Sequence, residues 1–271
     1  MSKSYRTVLS IAGSDSCGGA GIQADTKTCS ALGAYAMTVI TAVTAQNTVG
    51  VTSWEAVSPA LLRAQLEAVL TDVRPAAVKI GMIPDVASVE IIAEMLRKYQ
   101  LENIVVDPVA VATSGDSLSA RNTPGAIASH LFGIATVVTP NIPEAELYLG
   151  EPVDKADLAE AALRFVNKFE VNAVLLKGGH SDRSDLMTDT MMVKGSSEPL
   201  EFSSPVVQTE NSHGTGCSLS SAIASHLAMG LSLREAVARA KQFLYEALLS
   251  GADYRLGRGH GPINHLYRII K

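Results

Sequence analysis

Apolar residues along this chain come in two alternating forms. Compact runs such as Thr7–Ala12, Ala77–Ile80, Asn103–Val106, Thr136–Thr139 and Ala173–Leu176 are bounded by Gly, Pro, Asn or Asp. They are too short for stable helices and read as buried strands. Between them lie longer stretches with helical spacing, over 22–32, 59–73, 85–99, 124–131, 144–149 and 157–169. Ser58-Pro59 is a cap followed by proline at the first helical position, Asp85 can cap the next helix, and Gly33 stops the first. Tyr35–Ala45 and Val51–Val57 read as two more strands around a turn at Asn47–Gly50, and Asp189–Val193 with Leu200–Phe202 as a hairpin. Helices are predicted over Thr215–Ala228 and Leu233–Leu249, with a short last helix after the glycine-rich stretch Gly257–Pro262. Strands alternating with helices predict an α/β fold whose mainly parallel sheet is covered on both faces. There is no composition break and no internal repeat, so residues 1–271 are expected to form one domain.

Composition narrows the class. With 271 residues and 47% apolar content, the chain can bury a large core and is not disordered. The formal net charge is −5 and no Lys/Arg-rich block occurs, which argues against a general nucleic-acid binder. The three cysteines, Cys17, Cys29 and Cys217, form no Cys-x-x-Cys pair and cannot all pair with one another, so a reducing cytoplasm is expected. Met1–Arg6 is polar and does not resemble a signal peptide. Thr28–Trp54 carries no charge, but its threonines, Gln46, Asn47, Gly33 and Gly50 suit strands better than a membrane span of about 20 apolar residues.

The candidate chemistry starts at Asn211-Ser212-His213-Gly214-Thr215-Gly216-Cys217-Ser218. Glycines at a helix start let several backbone N–H groups point at one spot, and the helix dipole adds partial positive charge. Gly214, Thr215 and Gly216 therefore form a candidate anion hole for a phosphate, with Cys217 in its first turn. Strands are expected to end at Asp107, Asn141 and Lys177, with Glu144 just beyond, and parallel sheets bind ligands at those ends. Asp107 and Glu144 offer oxygens suited to Mg²⁺, and Lys177 is a compact cation for phosphate oxygens. These are parts of a phosphoryl-transfer site. The loop Gly13–Gly21 lacks both the Gly-x-Gly-x-x-Gly spacing and a following Gly-Lys-Ser/Thr, which speaks against a Rossmann oxidoreductase.

Taken together, the motifs resemble a known family. Gly13-Ser14-Asp15, Gly18-Gly19-Ala20-Gly21-Ile22-Gln23-Ala24-Asp25, Ala45-Gln46-Asn47-Thr48, Lys79-Ile80-Gly81-Met82, Thr139-Pro140-Asn141-Ile142-Pro143-Glu144-Ala145, Lys177-Gly178-Gly179-His180 and His213-Gly214-Thr215-Gly216-Cys217 occur in the order seen in bacterial hydroxymethylpyrimidine/phosphomethylpyrimidine kinases. The match extends through Gly257-Arg258-Gly259-His260-Gly261-Pro262. The resemblance implies a ribokinase-like three-layer sandwich with a central, mainly parallel sheet. It implies a kinase that uses ATP and Mg²⁺ in thiamine biosynthesis. Such a kinase phosphorylates 4-amino-5-hydroxymethyl-2-methylpyrimidine and then its monophosphate. Carried over by position, Gln46 binds the aminopyrimidine, whose amine and ring nitrogen match a primary amide. Asp25, Ala20, Met82 and Val109 also line the substrate pocket. Asn141, Lys177, Thr215 and Gly216 face the nucleotide phosphates, with Asp107 and Glu144 on the metal side. His180, His213 and Lys241 are expected to be structural or supporting residues. A homodimer is possible, as in many relatives.

Most ribokinase-like enzymes have Asp where this chain has Cys217; the pyrimidine kinases also have Cys. The helix N-terminus is expected to lower the thiol's pKa. Cys217 then deprotonates or orients the substrate hydroxyl, while the N–H groups of Gly214 to Cys217 stabilise transferred charge. A pyridoxal or pyridoxine kinase shares this chemistry and is the nearest rival. A non-catalytic nucleotide-binding regulator is the rival from another class. Gly115–Arg121 and His180–Asp189 are candidate closing loops.

Overall fold

The structure, a computed structural model, describes residues 4–109, 119–154, 156–178 and 185–269. In chain order these form β1 (Thr7–Asp15), α1 (Gly21–Ala31), β2 (Tyr35–Gln46), β3 (Val51–Ala56), α2 (Pro59–Leu70), β4 (Ala77–Ile80), α3 (Val86–Lys98) and β5 (Ile104–Val106). Then follow α4 (Thr123–Leu131), β6 (Val137–Val138), α5 (Ile142–Leu149), α6 (Leu158–Phe169), β7 (Ala173–Leu176), β8 (Leu186–Val193), β9 (Leu200–Pro205), α7 (Thr215–Ala228) and α8 (Leu233–Gly251).

All the strands join one sheet in the order β3-β2-β1-β4-β5-β6-β7-β8-β9. The pairs from β2 through β1, β4, β5 and β6 to β7 are parallel, and β3, β8 and β9 add antiparallel edges. Alternation along each strand divides the core in two. Leu9, Ile11, Val78, Ile80, Ile104, Val106, Val138, Val174 and Leu176 pack with α2 to α6. Val8, Ala77, Val105, Val137, Ala173 and Leu175 face the opposite way, with α1, α7 and α8. This is the expected three-layer α/β sandwich. The chain leaves β1 for β2 and β3, then returns to β4 on the other side of β1. Such a reversal opens a crevice beyond the carboxyl ends of β1 and β4.

Local signals set the helix ends. Ser58 accepts from the Leu61 N–H at 3.3 Å with Pro59 at the start of α2, and Asp85 accepts from the Ser88 N–H at 2.8 Å to begin α3. Gly33 has φ +84°, the left-handed conformation that ends α1. The uncharged stretch Thr28–Trp54 is the end of α1 followed by β2 and β3, and among the described residues no helix is long and apolar enough to cross a membrane. Among the described residues the expected last helix is absent: residues 265–269 form turns. That segment is pinned by tertiary bonds, from the Asn264 N–H to the Ala247 carbonyl and between His265 and Ser218, and is too short to offset helix nucleation.

Candidate active site

A cavity of about 890 Å³ lies over the carboxyl ends of β1, β4, β5, β6 and β7. Its back wall is the start of α7. Gly214 is the N-cap of that helix, at φ +81°, and a Cβ there would collide with the Gly19 carbonyl. Only glycine combines that backbone turn with so close an approach to the loop after β1. No side chain caps α7, so the first-turn N–H groups of Gly216 and Cys217 have no intrahelical acceptor. The Thr215 N–H donates to the Ser212 carbonyl at 3.3 Å, so the anion hole is narrower than the sequence suggested.

Next to this opening lie the charged groups from the strand ends. A Cβ on Gly216 would stand 3.4 Å from Lys177 Nζ and 3.6 Å from Asp107 Oδ2. Lys177 Nζ donates to Asp107 Oδ1 at 2.9 Å and lies 3.8 Å from Glu144 Oε2. Thr139 also donates to Asp107 Oδ1, and Ser220 of α7 donates to Oδ2 at 3.2 Å. Burial works against charge on Asp107, but Lys177, Lys79 and the hydrogen bonds from Lys177 and Thr139 outweigh it and hold the carboxyl below its ordinary range. Burial likewise opposes charge on Lys177, and Asp107 and Glu144 overcome it, raising the pKa of its ammonium. Asn141 and Glu144 form a capping box on α5: Glu144 N–H donates to Asn141 Oδ1, and Asn141 N–H donates to Glu144 Oε2, both at 2.8 Å. Asn141 thus has its amide NH₂ left to offer a ligand.

Cys217 faces the cavity, but not as an activated thiol. Burial pushes its pKa up to about 11, with Asp25 and Asp107 adding to the rise; Lys79 and a hydrogen bond from the Gly21 backbone only partly offset it. The pKa is thus raised where the helix N-terminus was expected to lower it, and desolvation of the thiolate is the largest cause. At neutral pH the group is a thiol.

At the β1–β4 crevice the cavity is lined by Ala20, Met82, Val109 and Gln46. Met82 packs with Ala42, Val51, Trp54 and Val109 as a small apolar cluster, and a Cβ on Gly13 would come within 2.7 Å of its sulfur. The Gln46 backbone is latched on both sides by Ser16, whose hydroxyl accepts from the Gln46 N–H and donates to its carbonyl, both at 2.9 Å. Beside it, His213 Nε2 lies 2.9 Å from Asp15 Oδ2. Burial tends to raise the Asp15 carboxyl, but His213 and the backbone N–H groups of Ala20 and Cys17 lower it on balance.

The family model for phosphomethylpyrimidine kinase matches residues 15–264. The chain is 45% identical over 268 residues to a hydroxymethylpyrimidine/phosphomethylpyrimidine kinase of Rhizobium meliloti, covering 97% of this chain and 98% of that protein. It belongs to the phosphomethylpyrimidine kinase family. Among solved structures, the phosphomethylpyrimidine kinase of Clostridium difficile is similar at 40% identity and TM-score 0.77, covering 89% of this chain and 99% of that one. An ADP complex of Bacillus subtilis pyridoxal kinase is similar at 32% identity and TM-score 0.87, covering 98% of this chain and all, 100%, of that one. The protein is thus a kinase of the ribokinase-like fold.

One residue expected to line the kinase's substrate pocket does not. Asp25 is fully buried behind the cavity wall, where both of its oxygens bond Lys79 Nζ, at 2.8 and 2.9 Å. Ser10 donates to its Oδ2 at 2.5 Å and Ser221 of α7 to its Oδ1 at 2.6 Å. The resemblance implies a carboxylate in the pocket; Lys79 and two hydroxyls hold it in the core instead. In sequence Lys79 stands only within a motif, with no role assigned, although a lysine inside the buried run Ala77–Ile80 requires a partner. Other residues also enter the site. Leu244, Tyr245 and Leu248 of α8, with Val207 and Met187, give the cavity an apolar end, and Lys241 and Asp189 pair there at 2.6 Å. In sequence the α8 residues look like an ordinary amphipathic face. His213 lines the cavity; His180, with Gly115–Leu118 and His180–Ser184 of the two candidate loops, lies outside the described residues.

A Mg²⁺ ion here would meet two carboxylates with an ammonium between them, and among the described residues no group of three or more acidic, His or Cys side chains gathers. That suits an ion that keeps much of its water and completes its shell with phosphate oxygens.

Proposed function

We propose that this kinase transfers a phosphoryl group from ATP to the hydroxymethyl oxygen of 4-amino-5-hydroxymethyl-2-methylpyrimidine, and then a second one to the resulting monophosphate. The observation that carries this is the position of Gly216: it brings the open end of α7 against both Lys177 and Asp107, in one cavity with Gln46. Gln46 offers a donor and an acceptor to the aminopyrimidine, flanked by Ala20, Met82 and Val109. The triphosphate lies along Asn141, Lys177, Thr215 and Gly216. The adenine fits the apolar end at Leu244, Tyr245 and Leu248. Asp107 and Glu144 would hold Mg²⁺, which would supply charge neutralisation for the phosphates.

In a loose phosphoryl-transfer transition state the nucleophile needs little proton removal early. The Cys217 thiol orients the hydroxyl rather than ionising it, and as the new O–P bond forms and the bond to ADP breaks the hydroxyl proton passes to an oxygen of the transferred group; Lys177 neutralises charge on that group, and the N–H groups of Gly216 and Cys217 receive the charge that develops on its oxygens. In the second transfer the nucleophile is already an anionic phosphate oxygen. The chain works as one domain in the cytoplasm.

The test is ADP release with Mg-ATP and, separately, the pyrimidine, its monophosphate, pyridoxal and pyridoxine. Turnover of both pyrimidines well above the pyridoxines supports the reading. Preference for pyridoxal or pyridoxine overturns it in favour of vitamin B6 salvage, the reading favoured by the likeness to pyridoxal kinase structures. No substrate-dependent ADP with any of the four would favour a non-catalytic nucleotide binder.

A further inference from the structure

The Gln46 carboxamide lies between two partners whose hydrogen-bonding roles are already fixed by their other contacts. Its Nε2 lies 3.3 Å from His213 Nε2, and its Oε1 lies 3.3 Å from Thr44 Oγ1. His213 Nε2 is also 2.9 Å from Asp15 Oδ2, which accepts from the Gly19 and Ala20 N–H groups as well. An ionised carboxylate can only accept, so His213 Nε2 must carry a proton directed at Asp15. A protonated ring nitrogen has no lone pair for the Gln46 NH₂, and the two donors oppose each other.

The other end of the amide has the mirror problem. Thr44 has one hydroxyl proton, and it goes to the Ser14 carbonyl at 3.0 Å. Thr44 Oγ1 then presents lone pairs to the Gln46 oxygen. Turning the carboxamide by half a revolution resolves both conflicts: the oxygen accepts a share of the His213 N–H, and the NH₂ donates to Thr44 Oγ1. The Ser16 latch fixes the Gln46 backbone, so side-chain torsion is the freedom that remains.

We infer that the Asp15–His213 pair sets the direction of the Gln46 carboxamide, oxygen towards His213, and that this direction orients the substrate. The inference about substrate rests on the aminopyrimidine reading above. Around that ring the order is ring nitrogen, amine, hydroxymethyl. The amide NH₂ meets the ring nitrogen on the Thr44 side, and the amide oxygen meets the amine on the His213 side. The hydroxymethyl group continues in the same sense, past His213 towards the adjoining segment Gly214–Cys217. A reversed amide would select the opposite pattern of donor and acceptor. The 4-oxo analogue, with a ring N–H beside a carbonyl, has that opposite pattern. His213 is thus a positioning residue for specificity.

Two measurements test this. In protein labelled with ¹⁵N-glutamine, with the Gln46 signal assigned by its loss in Gln46→Glu, the side-chain NH₂ should show Overhauser contacts to Thr44 protons. Contacts to the His213 ring proton Hε1 instead would overturn the orientation, whatever the substrate. The second compares kcat/KM for the 4-amino and 4-oxo pyrimidines. Wild type should favour the amine by about a hundredfold or more. His213→Phe should shrink that ratio at least tenfold, through the pyrimidine KM and not the ATP KM. His213→Gln, which places an amide N–H near the Nε2 position, should restore it. An unchanged ratio in His213→Phe, or equal losses on both pyrimidines, overturns the specificity role. Wild type that turns over pyridoxal and neither pyrimidine overturns the functional reading and the substrate orientation with it; the Overhauser contacts decide the amide direction on their own.

Discussion

Gly216 and Lys177 come together so that a single methyl group on the glycine would sit 3.4 Å from the lysine nitrogen. The missing side chain leaves room for a phosphate between helix and cation. Gly216 lies in the first turn of α7 and its φ is not positive, so alanine suits the backbone. Gly216→Ala should raise helix stability by up to about 1 kcal/mol and yet lower kcat/KM at least tenfold. Thermal unfolding alongside steady-state kinetics checks both.

The raised pKa of Cys217, about 11, has a chemical signature. Below that value the sulfur is protonated, so alkylation by iodoacetamide should be slow at pH 7.5 and speed up steadily as pH approaches 11. Peptide mapping by mass spectrometry separates Cys217 from Cys17 and Cys29. Fast, pH-independent labelling of Cys217 near neutrality would mean that a thiolate is already present. If the thiol only orients the hydroxyl, kcat should stay flat between pH 7 and 9.

Loss of the thiol should affect the two phosphorylations unequally. In Cys217→Ala, kcat for the hydroxymethyl substrate should fall about tenfold or more, whereas the monophosphate step, whose nucleophile has no hydroxyl for the thiol to orient, should fall less. Single-turnover assays on each substrate measure the two steps separately. Equal losses would assign Cys217 a role in shaping the anion hole instead.

The buried pair of Lys79 and Asp25 makes a stability prediction. Neither side chain is exposed, so removing one partner strands a charge in the core. Lys79→Met should cost about 3–5 kcal/mol in urea unfolding, and Lys79→Met combined with Asp25→Leu should recover part of that loss. A double variant no more stable than the single would show that the serine hydroxyls, not the ion pair, dominate the cluster.

Much of this architecture is legible in the chain. Ala77–Ile80 and Ala173–Leu176 are strands with the expected ends, and α7 spans Thr215–Ala228, because short apolar runs and glycine stops report local geometry directly. The candidate site is legible where a strand ends on a functional group, as at Asp107 and Lys177. It is obscured where function depends on depth. Asp25 sits on a helix whose sequence does not say which face the core covers, and tertiary packing buried it. Cys217 is shifted by desolvation, which no first-turn position reveals. Leu244, Tyr245 and Leu248 border a cavity instead of filling a core, a difference that sequence periodicity cannot register. The turns at 265–269 follow from contacts with α7 and α8 far away in the chain.

Helix α7 is buried from Ser218 to Ala228, yet it is held by hydroxyls as much as by hydrocarbon. Ser220 reaches Asp107, Ser221 reaches Asp25, and Ser218 meets His265. A helix seated on grease alone can creep along its axis by small amounts at little cost. One pegged at several heights cannot. The usual rule of mutational tolerance is then inverted on this helix: swapping a buried serine for alanine, ordinarily among the mildest of changes, would loosen the alignment of the catalytic end, whereas trimming Leu219 or Ile223 would weaken the fold first and the chemistry second.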